Sequence, residues 1–188
     1  MILLPKQAKR FYKLFDAVII FANERLGVSK RLITPFGEID DGEVAKVCDA
    51  LWSGTANRPV IGELIDENPY GFSRTDLREI AQWEHAINGD FFIMRRGEDM
   101  FFLYEGHAVA VRGITREIDT MLTYVPTVAR TTLLPFDGLI VYAMSLSEHP
   151  LDFGDALRST LDAELEKMIS NRKVIQSAKQ LVDRAPQL

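Results

Sequence analysis

The 188-residue chain sets 22 Lys and Arg against 27 Asp and Glu, a net charge of −5, with 47% hydrophobic and 26% charged residues, the balance of an ordinary globular domain. One core suffices, because a compact domain of this size buries about 70% of the surface its unfolded chain exposes and needs neither disulfides nor a structural metal. The acidic balance disfavours a broad footprint on nucleic acid or anionic lipid, which draws on clustered Lys and Arg.

Phe11, Leu14, Phe15, Val18, Ile19, Ala22 and Leu26 step by three and four, which predicts a helix over residues 6–26 with one apolar stripe, ended by Gly27. After a loop with Pro35 and Gly37, Val44, Val47, Cys48 and Leu51 repeat the spacing in a short helix capped by Asp40 or Asp41 and stopped at Gly54. Pro59 opens another short helix, with Ile61, Leu64 and Ile65 inward around Gly62. Asn68-Pro69-Tyr70-Gly71 is turn chemistry, and Ser73 with Asp76 makes a weak capping box for a helix to Ile87. Leu77, Ile80, Ala81, Trp83 and Ile87 form its inner face. Asn88-Gly89 ends that period.

Residues 91–96 and 100–105 are aromatic-rich runs around Gly97-Glu98-Asp99, a hairpin pattern. Gly106 turns the chain into a third run, residues 107–112, and residues 115–122 suit a short helical crossover. Residues 128–134 and 139–146 then flank Pro135-Phe136-Asp137-Gly138, the strongest hairpin signal. Residues 155–184 contain neither Gly nor Pro, and Leu157, Leu161, Leu165, Met168, Ile175 and Val182 lie close to one stripe. That tail is one helix of about 45 Å at 1.5 Å per residue, or a pair broken near Asn171. The expected fold is a single α+β domain over residues 1–188. Residues 1–88 are mainly helical, a central antiparallel sheet of about five strands occupies roughly 90–146 within a strand-rich 89–147, and 152–184 are helical. The tail stripe needs a cover, and a homodimer through it is one expectation.

Glu67-Asn68-Pro69-Tyr70-Gly71-Phe72-Ser73 resembles the turn before a Trp-bearing helix in a group of uncharacterised bacterial proteins. The likeness continues through residues 89–96 into Leu133-Leu134-Pro135-Phe136-Asp137-Gly138-Leu139-Ile140-Val141-Tyr142, which matches the group's hairpin signature. The chain departs from it at Ala143, where relatives carry Asp, and in being less basic around the first hairpin. The resemblance spans about residues 67–146; it implies the fold and no activity.

Few residue patterns point to chemistry. His85, His107 and His149 are scattered and there is one cysteine, whereas a zinc site wants three or four ligands at close spacings; no metal or cofactor is expected. Asp40-Asp41-Gly42-Glu43 lacks the alternate oxygen ligands of a calcium loop, because Gly37 and Ile39 occupy those positions. Neither common Gly-rich phosphate cradle occurs. Cys48 lies on an apolar stripe and reads as packing rather than as a nucleophile. Ser145 and Ser147 near His149 lack a nucleophile elbow, so no catalytic residue is assigned.

Three helices and a hairpin over residues 41–105 also suit a winged helix, with Arg95 and Arg96 as a partner or phosphate contact. The third helix, however, sets Asp76, Glu79 and Glu84 against Arg74 and Arg78, which disfavours DNA. A lone thiol suits a reducing compartment. No run approaches the ~18 apolar residues of a membrane span, and Met1 to Leu4 is too short for a signal core, while the next apolar stretch carries Asp16. The chain is therefore expected to be cytoplasmic and off the membrane. The leading expectation is a non-enzymatic regulatory or protein-interaction domain, with a protein partner or self-association. Alternatives are an enzyme whose site is assembled from distant residues, or a winged-helix-like DNA-binding regulator.

Overall fold

Helix α1 (Pro5–Leu26) starts on a proline, whose fixed φ suits the first helical turn. It buries Phe11, Leu14, Phe15, Val18, Ile19 and Ala22, six of the seven stripe residues. The computed structural model describes residues 1–31, 40–143, 146–149 and 153–184, so the loop with Pro35 and Gly37 lies outside the described residues. Asp40 caps α2 (Asp41–Trp52), its Oδ1 accepting from the Gly42 and Glu43 N–H groups at 2.8 and 3.2 Å. Helices α3 (Pro59–Glu67) and α4 (Arg74–Ala81) complete the N-terminal layer. The helix expected to reach Ile87 instead tightens to a 3₁₀ turn at Gln82–His85, because Ile87 already belongs to a strand.

The strands are β1 (Ile87–Arg96), β2 (Asp99–Tyr104), β3 (His107–Val111), β4 (Thr127–Phe136), β5 (Leu139–Tyr142) and β6 (Ser147–His149). They are followed by α5 (Asp155–Ser170), β7 (Val174–Ile175) and α6 (Ala178–Arg184). The first five are the strands expected from the sequence. The order across the sheet is β5-β4-β1-β2-β3-β7, with β6 pairing β4. Every pairing is antiparallel except β3 with β7. The sheet curls until the end of β3 reaches β5, where the Arg112 N–H donates to the Ile140 carbonyl at 2.9 Å. Residues 115–122 hold a 3₁₀ turn at Ile118–Met121.

The signature hairpin is tighter than its sequence suggests. Pro135 and Phe136 belong to β4, in register with Ile140 and Leu139, and only Asp137 (φ 49°) and Gly138 (φ 77°) form the turn. Positive φ at both central residues is the type I′ geometry whose twist matches a hairpin. Because Pro135 lacks an N–H, its carbonyl is what ties the layers together: the Trp83 indole donates to it at 2.8 Å, and the Trp52 indole donates to the Trp83 carbonyl at 2.9 Å. Phe136 packs edge-on against Phe11 at 5.2 Å, and Phe11 stacks on Phe15 at 5.4 Å.

The Asn68 turn is likewise a joint. Asn68 ends α3 in the left-handed region (φ 41°), and its side-chain amide bonds both ways to the Phe72 backbone, at 2.7 and 3.1 Å. Ser73 then caps α4 through the Asp76 N–H. The Asn68 turn and the Asp137-Gly138 turn therefore serve as corners of the fold.

The inner sheet face and part of the outer one are covered within the chain. The inner face, with Phe91, Ile93 and Phe102, joins α1 and α2 in the main core. Part of the outer face, with Met94, Phe101 and Leu103, lies under Phe153, Leu161 and Leu165 of the tail. The tail is a helix pair. The chain leaves α5 at Asn171, Arg172 turns left-handed (φ 56°), and β7 follows. The homodimer expected through this stripe assumes a bare stripe, and Leu161 and Leu165 are instead buried against the chain's own sheet. Leu165→Ala should lower the unfolding free energy by about 2–5 kcal/mol in urea titration and leave the mass in light scattering unchanged.

Candidate functional site

Arg95 and Arg96, expected as a partner or phosphate contact, lie on opposite sides of the sheet. Successive strand residues face opposite sides: Arg95 pairs with Asp119 at 3.0 Å, and Arg96 pairs with Glu166 of α5 at 2.7 Å. Their hairpin is no free wing, since β1 is paired on its other edge by β4. In the helix expected to enter a groove, Asp76 and Glu79 hold Arg10 at 2.8 and 3.4 Å.

Cys48 is 3% exposed, and burial followed by the neighbouring Asp49 charge pushes its thiol far above the ordinary range, the behaviour of an inert core cysteine. The histidines stay apart. His107 Nδ1 lies 3.2 Å from the Glu105 carbonyl, His149 Nε2 lies 2.9 Å from Asp90 Oδ1, and His85 borders a cleft. Among the described residues no three His, Cys, Asp or Glu side chains converge as ligands of a metal would. Ser145 lies outside the described residues; Ser147 is exposed and in register with Arg130.

What the fold does assemble is a polar seam on β1 and β4. Arg130 lies opposite Asp90, and Thr132 opposite Asn88. The Arg130 guanidinium reaches Asp49 of α2 at 3.1 Å, Asp90 at 3.4 Å and the Asn88 Oδ1 at 3.2 Å. Asn88 in turn donates to Thr132 Oγ1 at 2.7 Å and to Asp49 at 3.0 Å. Half-exposed pairs of this kind each stabilise little, but a closed set fixes side-chain positions. A small cavity of about 60 Å³ beside the seam touches Cys48 and Ala143.

Asn88 also borders a larger cleft of about 730 Å³ on its other side. The cleft is walled by the end of α2 (Trp52), the loop through Gly54 and Thr55, the 3₁₀ turn with Glu84 and His85, and Tyr104 of β2. Adjacent residues on a 3₁₀ turn diverge by about 120°, yet the concavity is wide enough for both Glu84 and His85 to line it. Gly89 permits the wall: a Cβ there would lie 3.2 Å from the Tyr104 ring, which would have to shift by a few tenths of an ångström to admit it. Burial, and then Glu105, raises the Tyr104 pKa. Arg58 holds the loop, its guanidinium donating to the carbonyls of Gly54, Glu84 and Ala86.

Sequence reasoning names none of Asp49, Asn88, Asp90, Arg130 or Tyr104 as site residues. The available signal is polar alternation at one end of each strand, Asn88 with Asp90 on β1 and Arg130 with Thr132 on β4.

A third hollow, about 450 Å³, lies between α5 and the loop at Tyr124. Glu148 of β6 orders that loop by accepting from the Thr123 N–H and Oγ1 at 2.9 and 2.8 Å. No helix of the described residues is long and apolar enough to cross a membrane. Comparison of the chain with protein-family models, curated proteins and solved structures finds no match.

Although burial disfavours its charge, these hydrogen bonds hold the Glu148 carboxyl below its ordinary 4.5. A depressed folded value means that Glu148 stabilises the fold above the unfolded-state pKa and loses that contribution as pH falls through the folded one. Thermal melts from about pH 7 to about pH 3 should therefore show Glu148→Gln less stable at neutral pH, with the gap to the parent chain closing in acid.

Proposed function

We propose that this chain is a non-enzymatic binding domain of regulatory type, whose ligand or partner segment enters the cleft between the α2–α3 loop and the β1–β2 edge. The observation that carries the reading is the cleft itself: its volume falls within the roughly 300–1,000 Å³ of small-ligand sites. Aromatic walls at Trp52 and Tyr104 meet polar groups at Thr55, Glu84 and His85. Arg58 and the seam behind Asn88 supply a pre-formed frame, which lowers the ordering cost of binding. A cytoplasmic setting suits the lone buried thiol, and membership of the resembling bacterial group belongs to the same reading.

A second reading is favoured by the seam. Asp49, Asn88, Asp90, Arg130 and His149 come from four different elements, as in an enzyme whose site is assembled from distant residues. It calls for turnover in a broad substrate panel that disappears in Asp90→Asn.

A small-molecule fragment library screened by amide chemical-shift mapping should give binders that move the signals of Gly54, Thr55 and His85. Ser53→Trp, at the exposed rim, should abolish the effect. Binders that map to the Tyr124 hollow, or that survive Ser53→Trp, would sink the cleft reading.

A further inference from the structure

Resting on that reading, we propose that the occupant of the cleft is an extended peptide segment of a partner protein, which adds to the open edge of β1 at Asn88 and Asp90. Strand β1 pairs with β4 over Ile87–Ile93 but with β2 only over Phe92–Arg96. The reason is that β2 ends at Tyr104, where Glu105 (φ 44°) and Gly106 (φ 74°) turn the chain into β3. The start of β1 therefore runs past the end of its neighbour, and among the described residues no strand stands opposite Asn88 or Asp90 on that side.

The register fixes where their main-chain groups point. Opposed residues of an antiparallel ladder alternate between pairs that exchange both N–H···O bonds and pairs that exchange none. The two-residue turn at Gly97 and Glu98 makes Arg96 and Asp99 a bonded pair, so Arg96, Met94 and Phe92 direct their N–H and C=O groups to β2. Strand β4 gives the same alternation from the other side. The Thr132 carbonyl points away from β1 and accepts the Ala143 N–H at 2.7 Å, so Asn88, which lies opposite Thr132, points away from β4. Asn88 and Asp90 thus present their N–H and C=O groups to the bare edge. Ala86, two residues earlier, is already satisfied, its N–H donating to the Trp83 carbonyl at 3.1 Å and its own carbonyl accepting from Arg58 at 3.2 Å.

The cleft lies along this edge, since Ile87, Asn88 and Tyr104 border it together. Alternating main-chain donors and acceptors on an open strand are complementary to another extended main chain. The loop at Gly54 and Thr55, tied by Arg58, forms the opposite wall, so a single slender segment enters and the sheet edge of a second copy does not. Tyr104 sets a side-chain preference. It stands on the Phe91 face of the sheet, its ring 5.2 Å from Phe91 and leaning over Gly89. The segment residue opposite Gly89 turns to that face, where an apolar side chain meets the ring.

The test is selection of a phage-displayed random heptapeptide library on the full chain, followed by titration of the selected peptides in synthetic form. Bound peptide should shift the Gly54 and Thr55 amides and slow hydrogen exchange of the Asn88 amide by about tenfold or more. N-methylation of the peptide, one residue at a time, should weaken binding by about tenfold or more at two positions separated by one residue, and little at the residue between. Ser53→Trp should abolish binding, with its melting curve checking the fold. Peptides that bind at Gly54 and Thr55 without this alternation, or with Asn88 exchange unchanged, overturn the inference and leave the binding reading standing. The same holds if no peptide is selected while small-molecule fragments bind there. Peptides and fragments both absent from the cleft defeat both.

Discussion

The fold depends on one hydrogen bond between a helix-layer indole and a strand carbonyl. Trp83 donates to Pro135 from inside the core, where neither group is exposed enough to find water instead, and an unpaired buried carbonyl or indole would cost about 1–3 kcal/mol. That bond sets the distance between the 3₁₀ turn and β4. The rings of Phe11, Phe15 and Phe136 then fill the space it defines. Trp52 passes the constraint on to α2 through the Trp83 carbonyl, so the wall of the cleft and the centre of the core are positioned together.

The cleft and the polar seam follow from that arrangement. Because α2 is held against the start of β1 and the middle of β4, Asp49 reaches Arg130 on the sheet while Trp52 closes the side of the cleft. Asn88 stands between them and touches both. In the proposed binding role, a ligand in the cleft would meet the seam through that one amide side chain.

Much of the architecture was legible in the residues because it rests on local periodicity. The stripe of α1, an acidic cap at Asp40 or Asp41, the Asn68 corner and five strands all come from spacings of two, three or four and from turn residues, whereas the tail stripe alone fits one helix as well as a pair. The places that escaped are those decided by partners far away in sequence. Pro135 and Phe136 look like turn residues until a two-residue I′ turn draws them into β4. β6 and β7 are too short to alternate, and each exists only because a longer strand offers it an edge. The candidate site escaped for the same reason. Its wall is drawn from residues near 54, 85 and 104, and its seam from Asp49, Asn88, Arg130 and His149, with no fixed spacing between them. Arg95 and Arg96, adjacent in the sequence, stand on opposite faces of the sheet, each half-exposed and ion-paired.

The path of the tail has a kinetic meaning. From α5 on the outer face the chain rounds the sheet edge at β7, where Val174 joins one cluster and Ile175 the other, and α6 then delivers Leu181 to the same core that Phe11 occupies. Strand β3 is covered on its outer edge by β7, as exposed edges invite association. Contacts that join the first and last helices through one core carry long sequence separations, and such topologies fold slowly because loop entropy must be lost before the contacts reward it. Until α6 is in place, then, the folding chain holds an unfinished interior, and apolar surface left open in that interval invites association.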